Sequence, residues 1–168
     1  MNKLDILIVE DELFQREMLR DFLRKAGHLA TEAESGEKAL QLLEKNCFDL
    51  MLMDFRMPGM NGLETLQKAK TIDPEIDVVI MTAYGTVETA VAAMKAGAGD
   101  YITKPMDLDE LAILIGRVAE HRTLVRENEI LRQELKIKGV TSEAIQYKSP
   151  KMAELISWRQ GSRPVRQR

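Results

Sequence analysis

Four short apolar runs each end in a polar residue, and this constrains the fold more than any other feature of the chain. Ile6-Leu7-Ile8-Val9 leads into Glu10-Asp11, and Leu50-Met51-Leu52-Met53 into Asp54. Val78-Val79-Ile80-Met81 leads into Thr82-Ala83, and Tyr101-Ile102-Thr103 into Lys104-Pro105. Runs this short and this apolar read as strands buried on both faces, the pattern of a parallel sheet. In an open α/β sheet the carboxyl ends of such strands share one edge, and ligands bind there. Three carboxylates, a hydroxyl and an ammonium therefore converge on one small site. That set suits a divalent cation and a phosphoryl group.

The segments between the runs are helical in period. From Leu13 to Ala26, Phe14, Met18, Leu19, Phe22 and Leu23 recur at helical spacing, and Gly27 is a C′ stop. Leu29 to Ala33 is a weaker second strand. Ser35 caps a helix carrying Ala39, Leu40, Leu42 and Leu43. Phe48 to Met53 is the third strand, followed by the turn residues Pro58-Gly59 and Asn61-Gly62. A helix with Leu63, Leu66 and Ala69 on one face then runs to Asp73-Pro74. Thr86 to Ala96 is an Ala-rich helix closed by Gly97, and Tyr101 to Thr103 is a short fifth strand. This alternation predicts an α/β fold, a doubly wound five-stranded parallel sheet with helices on both faces.

The last helix is longer than such a domain needs. From Leu108 to about Ile137 there is no Pro and one Gly, Gly116. A helix of that length spans about 45 Å. Its first part (Leu111, Leu114, Ile115, Val118) can pack on the sheet. Its later part spaces Leu124, Asn128, Leu131 and Leu135 by four, three and four residues, a heptad seam flanked by Glu127, Glu129, Arg132 and Glu134. An Asn in such a seam favours a two-stranded state. The expected organisation is a domain over 1–120, a helical coiled-coil linker over 121–138, and a remainder over 139–168.

Composition excludes several classes. A net charge of −3 over 168 residues argues neither for nor against nucleic-acid binding. The single cysteine, Cys47, forms no internal disulfide, and no apolar stretch approaches the ~20 residues of a membrane span. No secretory signal precedes the first strand. The expectation is a cytoplasmic protein without direct membrane contact. Arg159, Arg163, Arg166 and Arg168 follow the last acid, Glu154, without aromatic interleaving or helical period. They read as a disordered basic end, with no direct nucleic-acid binding by this chain.

At the sheet edge, Asp54 can attack a phosphoryl group and carry it as an acyl phosphate. Such transfer depends mostly on positioning and charge neutralisation. Mg²⁺ takes carboxylate, water and phosphate oxygens, so Asp11 and Asp54 fit as ligands and Glu10 fits directly or through water. Lys104 can pair with phosphoryl oxygens, Thr82 can donate a hydroxyl, and the Ala83 N–H is a further donor. The Pro of Lys104-Pro105 raises the chance of a cis bond.

In these strings the chain resembles the response-regulator receiver domains of bacterial two-component systems. The matching segments are Ile8-Val9-Glu10-Asp11-Glu12, Met53 to Gly62, Met81-Thr82-Ala83-Tyr84-Gly85, and Asp100 to Pro105. The resemblance covers residues 4 to about 120. It implies a flavodoxin-like strand order 2-1-3-4-5 with an extended C-terminal helix. It implies that Asp54 accepts a phosphoryl group from a phosphohistidine of a sensor histidine kinase. It further implies that Glu10, Asp11, Asp54 and the Arg56 main-chain carbonyl hold Mg²⁺, and that Thr82 and Lys104 contact the phosphoryl group. Tyr101 matches the switch aromatic, which turns inward as Thr82 moves. The chain then acts as a phosphorylation-controlled switch rather than an enzyme. It would dimerise through the face of the fourth helix, fifth strand and last helix, and through the 121–138 coiled coil.

A narrower resemblance is to receivers of sigma-54-dependent (NtrC-like) transcriptional activators. It is carried by Thr82 to Val91, by Met94-Lys95-Ala96-Gly97-Ala98 and by the linker-like Glu127 to Leu135. Ser149 to Ile156 is similar to the start of their AAA+ ATPase domain. Glu10 stands where Asp is more usual, and Gly99 stands where these receivers carry an aromatic. No G-x-x-x-x-G-K-[ST] loop occurs, so this chain holds no P-loop ATPase site. Residues 158–168 do not continue the resemblance, and a shifted reading frame or a truncation is expected there. Such a long linker fits restraint of the ATPase by the unphosphorylated dimer. The alternative is a stand-alone receiver and coiled-coil scaffold acting through a partner protein. An Asp-nucleophile phosphatase is disfavoured because Arg56 stands where its general acid belongs. A flavodoxin-like nucleotide binder is disfavoured because no Gly-rich loop follows the first strand.

Overall fold

The computed structural model describes residues 3–83 and 87–137. Five parallel strands form one sheet: β1 (Asp5–Val9), β2 (Leu29–Ala33), β3 (Leu50–Asp54), β4 (Asp77–Thr82) and β5 (Asp100–Thr103). Their order is β2-β1-β3-β4-β5, as expected for a flavodoxin-like sheet. The connecting helices are α1 (Leu13–Lys25), α2 (Gly36–Leu43), α3 (Gly62–Ile72) and α4 (Val87–Lys95), and α5 (Leu108–Ile137) closes the described chain.

The strands alternate side chains between two cores, as their period of two requires. Leu7, Val9, Met51, Met53, Val78 and Ile80 pack with Ala39, Leu43, Leu66, Ala69 and Ala93 of α2, α3 and α4. Ile6, Ile8, Leu50, Leu52, Val79 and Met81 pack with Leu19 and Leu23 of α1 and with Leu111, Leu114 and Ile115 of α5. Burial on both faces is why β1, β3 and β4 read as continuous apolar runs.

Local signals act where the sequence placed them. The Ser35 side chain accepts from the Lys38 N–H at 3.2 Å and caps α2. Asn61 caps α3 in the same way through Glu64 N at 2.9 Å. Gly27, next to the Ala26 C-cap of α1, adopts a φ of 93°, the left-handed conformation that a C′ glycine supplies. Phe48 lies ahead of β3, which starts at Leu50, yet is buried.

One expectation about α1 does not hold. Phe14 is 75 % exposed and Met18 also faces out. At 3.6 residues per turn Phe14 lies about 140° around the helix from Leu19. The stripe that reaches the sheet is therefore Leu19, Leu23 and, in part, Phe22.

The compact unit that holds the sheet ends at Thr123. Beyond it, the α5 seam residues Leu124, Asn128, Leu131 and Leu135 are all exposed. The segments at Tyr84-Gly85-Thr86, Ser149 to Ile156 and 158–168 lie outside the described residues.

Candidate functional site

Glu10 and Asp11 directly follow β1, Asp54 ends β3, Thr82 ends β4, and Lys104 directly follows β5. The register places Asp54 beside Met81 and Thr82 beside Thr103. A bond from Lys104 N to the Thr82 carbonyl oxygen (2.8 Å) ties the last two strand ends together. The sheet thus delivers these groups to one edge by main-chain geometry alone.

Lys104 Nζ bridges two carboxylates, at 2.7 Å from Glu10 Oε2 and 2.6 Å from Asp54 Oδ2. Asp54 Oδ1 accepts from the Arg56 N–H at 3.0 Å, and Glu10 Oε1 accepts from the Glu12 N–H at 3.4 Å. Glu10 is 1 % exposed and Asp54 9 %, whereas Asp11 is exposed. One carboxylate oxygen from each of Glu10, Asp11 and Asp54 lies within 4.8 Å of the others. The Lys104-Pro105 peptide is cis.

Charge at the site does not balance. Three carboxylates face one ammonium. Burial pushes the Glu10 carboxyl above its ordinary value; the Lys104 hydrogen bond and charge oppose this, and the Asp54 charge adds to it. Burial alone would lower the Lys104 ammonium, but its bonds to Asp54 and Glu10 and their charges outweigh that and hold it above the usual lysine range. A hard divalent cation among oxygen donors relieves such an excess of negative charge. The acidic cluster of Glu10, Asp11 and Asp54 fits a hard divalent cation such as Mg²⁺.

Backbone packing sets the position of the Asp54 loop. Phe55 N donates to the Met81 carbonyl oxygen at 2.8 Å, and Gly62 N to the Phe55 carbonyl oxygen at 3.0 Å. A Cβ at Gly62 would meet the Asp54 carbonyl oxygen and Phe55 Cα, each at 2.8 Å. Only glycine lets the start of α3 come this close to the loop.

The expected groups do not all share one environment. Thr82 is buried, while Ala83 and Arg56 are exposed. Tyr101 is 42 % exposed, an outward position for the expected switch aromatic. One neighbour was not singled out from sequence. Arg16 Nη1 donates to the Glu10 carbonyl oxygen at 2.7 Å and the Asp11 carbonyl oxygen at 3.3 Å. Its only signal is an arginine in the first turns of the helix after the acidic pair.

Residues 6–115 match the response regulator receiver domain family, and the chain belongs to that family. It is 43 % identical over 122 residues to the transcriptional regulatory protein ZraR of Klebsiella oxytoca, covering 73 % of this chain and 28 % of that protein. It is 36 % identical over 151 residues to the alginate biosynthesis transcriptional regulatory protein AlgB of Pseudomonas aeruginosa, covering 90 % of this chain and 33 % of that protein. The crystal structure of NtrX from Brucella abortus superposes with a TM-score of 0.72 at 34 % identity, over 78 % of this chain and 30 % of that one. The chain thus spans about a third or less of the length of these relatives. Among the described residues, no helix is long and apolar enough to cross a membrane.

Proposed function

We propose that this chain is a phosphorylation-dependent switch of a two-component phosphorelay, with Asp54 as the phosphoacceptor. The observation that carries the reading is the convergence of Glu10, Asp11 and Asp54 within 4.8 Å, with Lys104 bridging two of them. A carboxylate oxygen of Asp54 attacks the phosphorus of a phosphohistidine on a sensor histidine kinase. The O–P bond of an acyl phosphate forms as the P–N bond breaks, and the electron pair leaves with the imidazole. Lys104 holds the Asp54 carboxylate in place and offers its ammonium to the incoming phosphoryl oxygens. Thr82 and the Ala83 N–H stand at the end of the neighbouring strand as further donors. Glu10, Asp11, Asp54 and the Arg56 carbonyl hold Mg²⁺, which when bound neutralises charge on the phosphoryl group. Tyr101 moves inward as Thr82 engages the phosphoryl group, shifting the population between two states of the α4-β5-α5 face.

The names of the relatives support a transcriptional setting. In this reading residues 1–120 are the receiver, 121–138 a coiled-coil linker and 139–168 the start of an AAA+ domain. A homodimer through the α4-β5-α5 face and the linker controls the ATPase of a cytoplasmic sigma-54-type activator. The chain itself carries no enzyme activity beyond its own phosphorylation and dephosphorylation. A stand-alone scaffold is the alternative that a gene ending at Arg168 would favour.

The test is incubation with a small-molecule acyl phosphate donor and Mg²⁺, read by intact mass. Wild type should gain one phosphoryl group labile to base and to hydroxylamine, and Asp54→Asn none. Equal labelling of the two proteins would refute Asp54 as the acceptor.

A further inference from the structure

We propose that Arg16 is a positioning residue for the acidic loop: it fixes the main chain of Glu10 and Asp11 so that their carboxylates meet Asp54. This role rests on the site reading above. Two consecutive carbonyl oxygens, those of Glu10 and Asp11, turn toward one guanidinium nitrogen, at 2.7 and 3.3 Å. Peptide units are planar, so fixing two carbonyls fixes the planes that flank the Asp11 Cα. The direction of its side chain follows from that.

The guanidinium is itself held. The Arg16 side chain is 11 % exposed, and its Nε lies 3.6 Å from Glu32 Oε1 on β2. Arg20 binds the other oxygen of Glu32 at 3.2 Å. Glu32 stands beside Ile8 in the sheet register, two residues before Glu10. From the same strand the Ala33 carbonyl oxygen accepts from Glu10 N at 3.1 Å. The acidic pair is therefore anchored to β2 on one side and to α1 on the other. A planar fork of five donors can serve two carbonyls and a carboxylate at once, whereas a lysine ammonium is a point charge on a flexible stem. The fixed positive charge also offsets the mutual repulsion of the carboxylates.

The experiment titrates Mg²⁺ alone into the 168-residue chain by calorimetry, beside urea unfolding of each variant. Arg16→Ala should weaken Mg²⁺ binding by about tenfold, the low end for loss of a group that orients metal ligands. Arg16→Lys should restore part of that loss. Arg20→Ala removes ion pairs on the same surface but leaves Arg16 and its carbonyl bonds in place, and should leave Mg²⁺ affinity unchanged, whatever it does to the urea midpoint. Glu32→Gln, which only loosens the hold on the guanidinium, should weaken binding by less than Arg16→Ala. Wild-type affinity in a folded Arg16→Ala protein would overturn the role. So would an equal loss of affinity in Arg20→Ala, which would assign the effect to surface charge. If Arg16→Ala does not fold, Arg16→Gln and Arg16→Lys carry the comparison, and wild-type affinity in both overturns the proposal. Absence of Mg²⁺ binding by the wild type would overturn the site reading itself, a result distinct from these.

Discussion

A methyl group at Gly62 has nowhere to go, because its neighbours are the Asp54 carbonyl oxygen and Phe55 Cα rather than flexible side chains. Gly62→Ala should cost about 1–3 kcal/mol in urea unfolding, the range for overpacking, and should also weaken Mg²⁺ binding because the displaced loop carries Asp54. His28 gives a pH prediction. It is 8 % exposed, its Nδ1 accepts from Leu4 N at 3.2 Å, and burial holds its pKa below the ordinary value. The neutral form is thus favoured in the folded state, and the unfolded chain binds the proton more readily. His28 stabilises fully above about pH 6.5, and that contribution is lost as pH falls through the lower folded value. Urea midpoints should fall across that window in wild type, and His28→Gln should lack this part of the slope. Glu10, Asp11, Asp54 and Thr82 were legible in the sequence because each stands at the end of a buried run, where strand direction alone decides its place; Lys104 follows the edge strand β5, in which only Ile102 is buried. Arg16, Gly62 and His28 were not, because their contacts depend on how α1, α3 and β1 pack.

The same contrast holds for elements. Strands β1, β3 and β4 were legible from their unbroken apolar runs, α2 from its Ser35 cap and α3 from the face of Leu63, Leu66 and Ala69; the Asn61 cap of α3, read from sequence as a turn residue, was not. The α1 stripe was overread, since Phe14 and Met18 share its spacing but lie around the helix from Leu19 and Leu23. The anchoring of α5 had no sequence signal. Arg122 Nε donates to Asp77 Oδ2 at 3.0 Å, and its Nη2 to the carbonyl oxygens of Asp49 at 2.8 Å and Glu75 at 2.6 Å. One guanidinium therefore joins α5 to the amino ends of β3 and β4. Arg122→Ala should destabilise the domain by about 2–3 kcal/mol in urea unfolding, the scale for losing charged hydrogen bonds. Gly99 borders a cleft lined also by Val78, Leu114 and Val118, and the strand register of β4 and β5 is intact beside it.

At the scale of the whole molecule, the proposed switch couples a charged site at one sheet edge to a proposed association surface. The exposed seam of Leu124, Asn128, Leu131 and Leu135 gives that association its own test. Asn128→Leu should strengthen self-association and loosen its restriction to two chains, read by light scattering after size exclusion. An unchanged mass distribution would place the seam outside the dimer. Asp54 is proposed to take a phosphoryl group in a cation-dependent site. Beryllofluoride stands in for a phosphoryl group on a carboxylate, and fluorine NMR sees it when bound. A bound resonance is expected in wild type, requiring Mg²⁺ and absent in Asp54→Asn. No bound resonance in wild type, or an equal one in Asp54→Asn, would contradict that proposal.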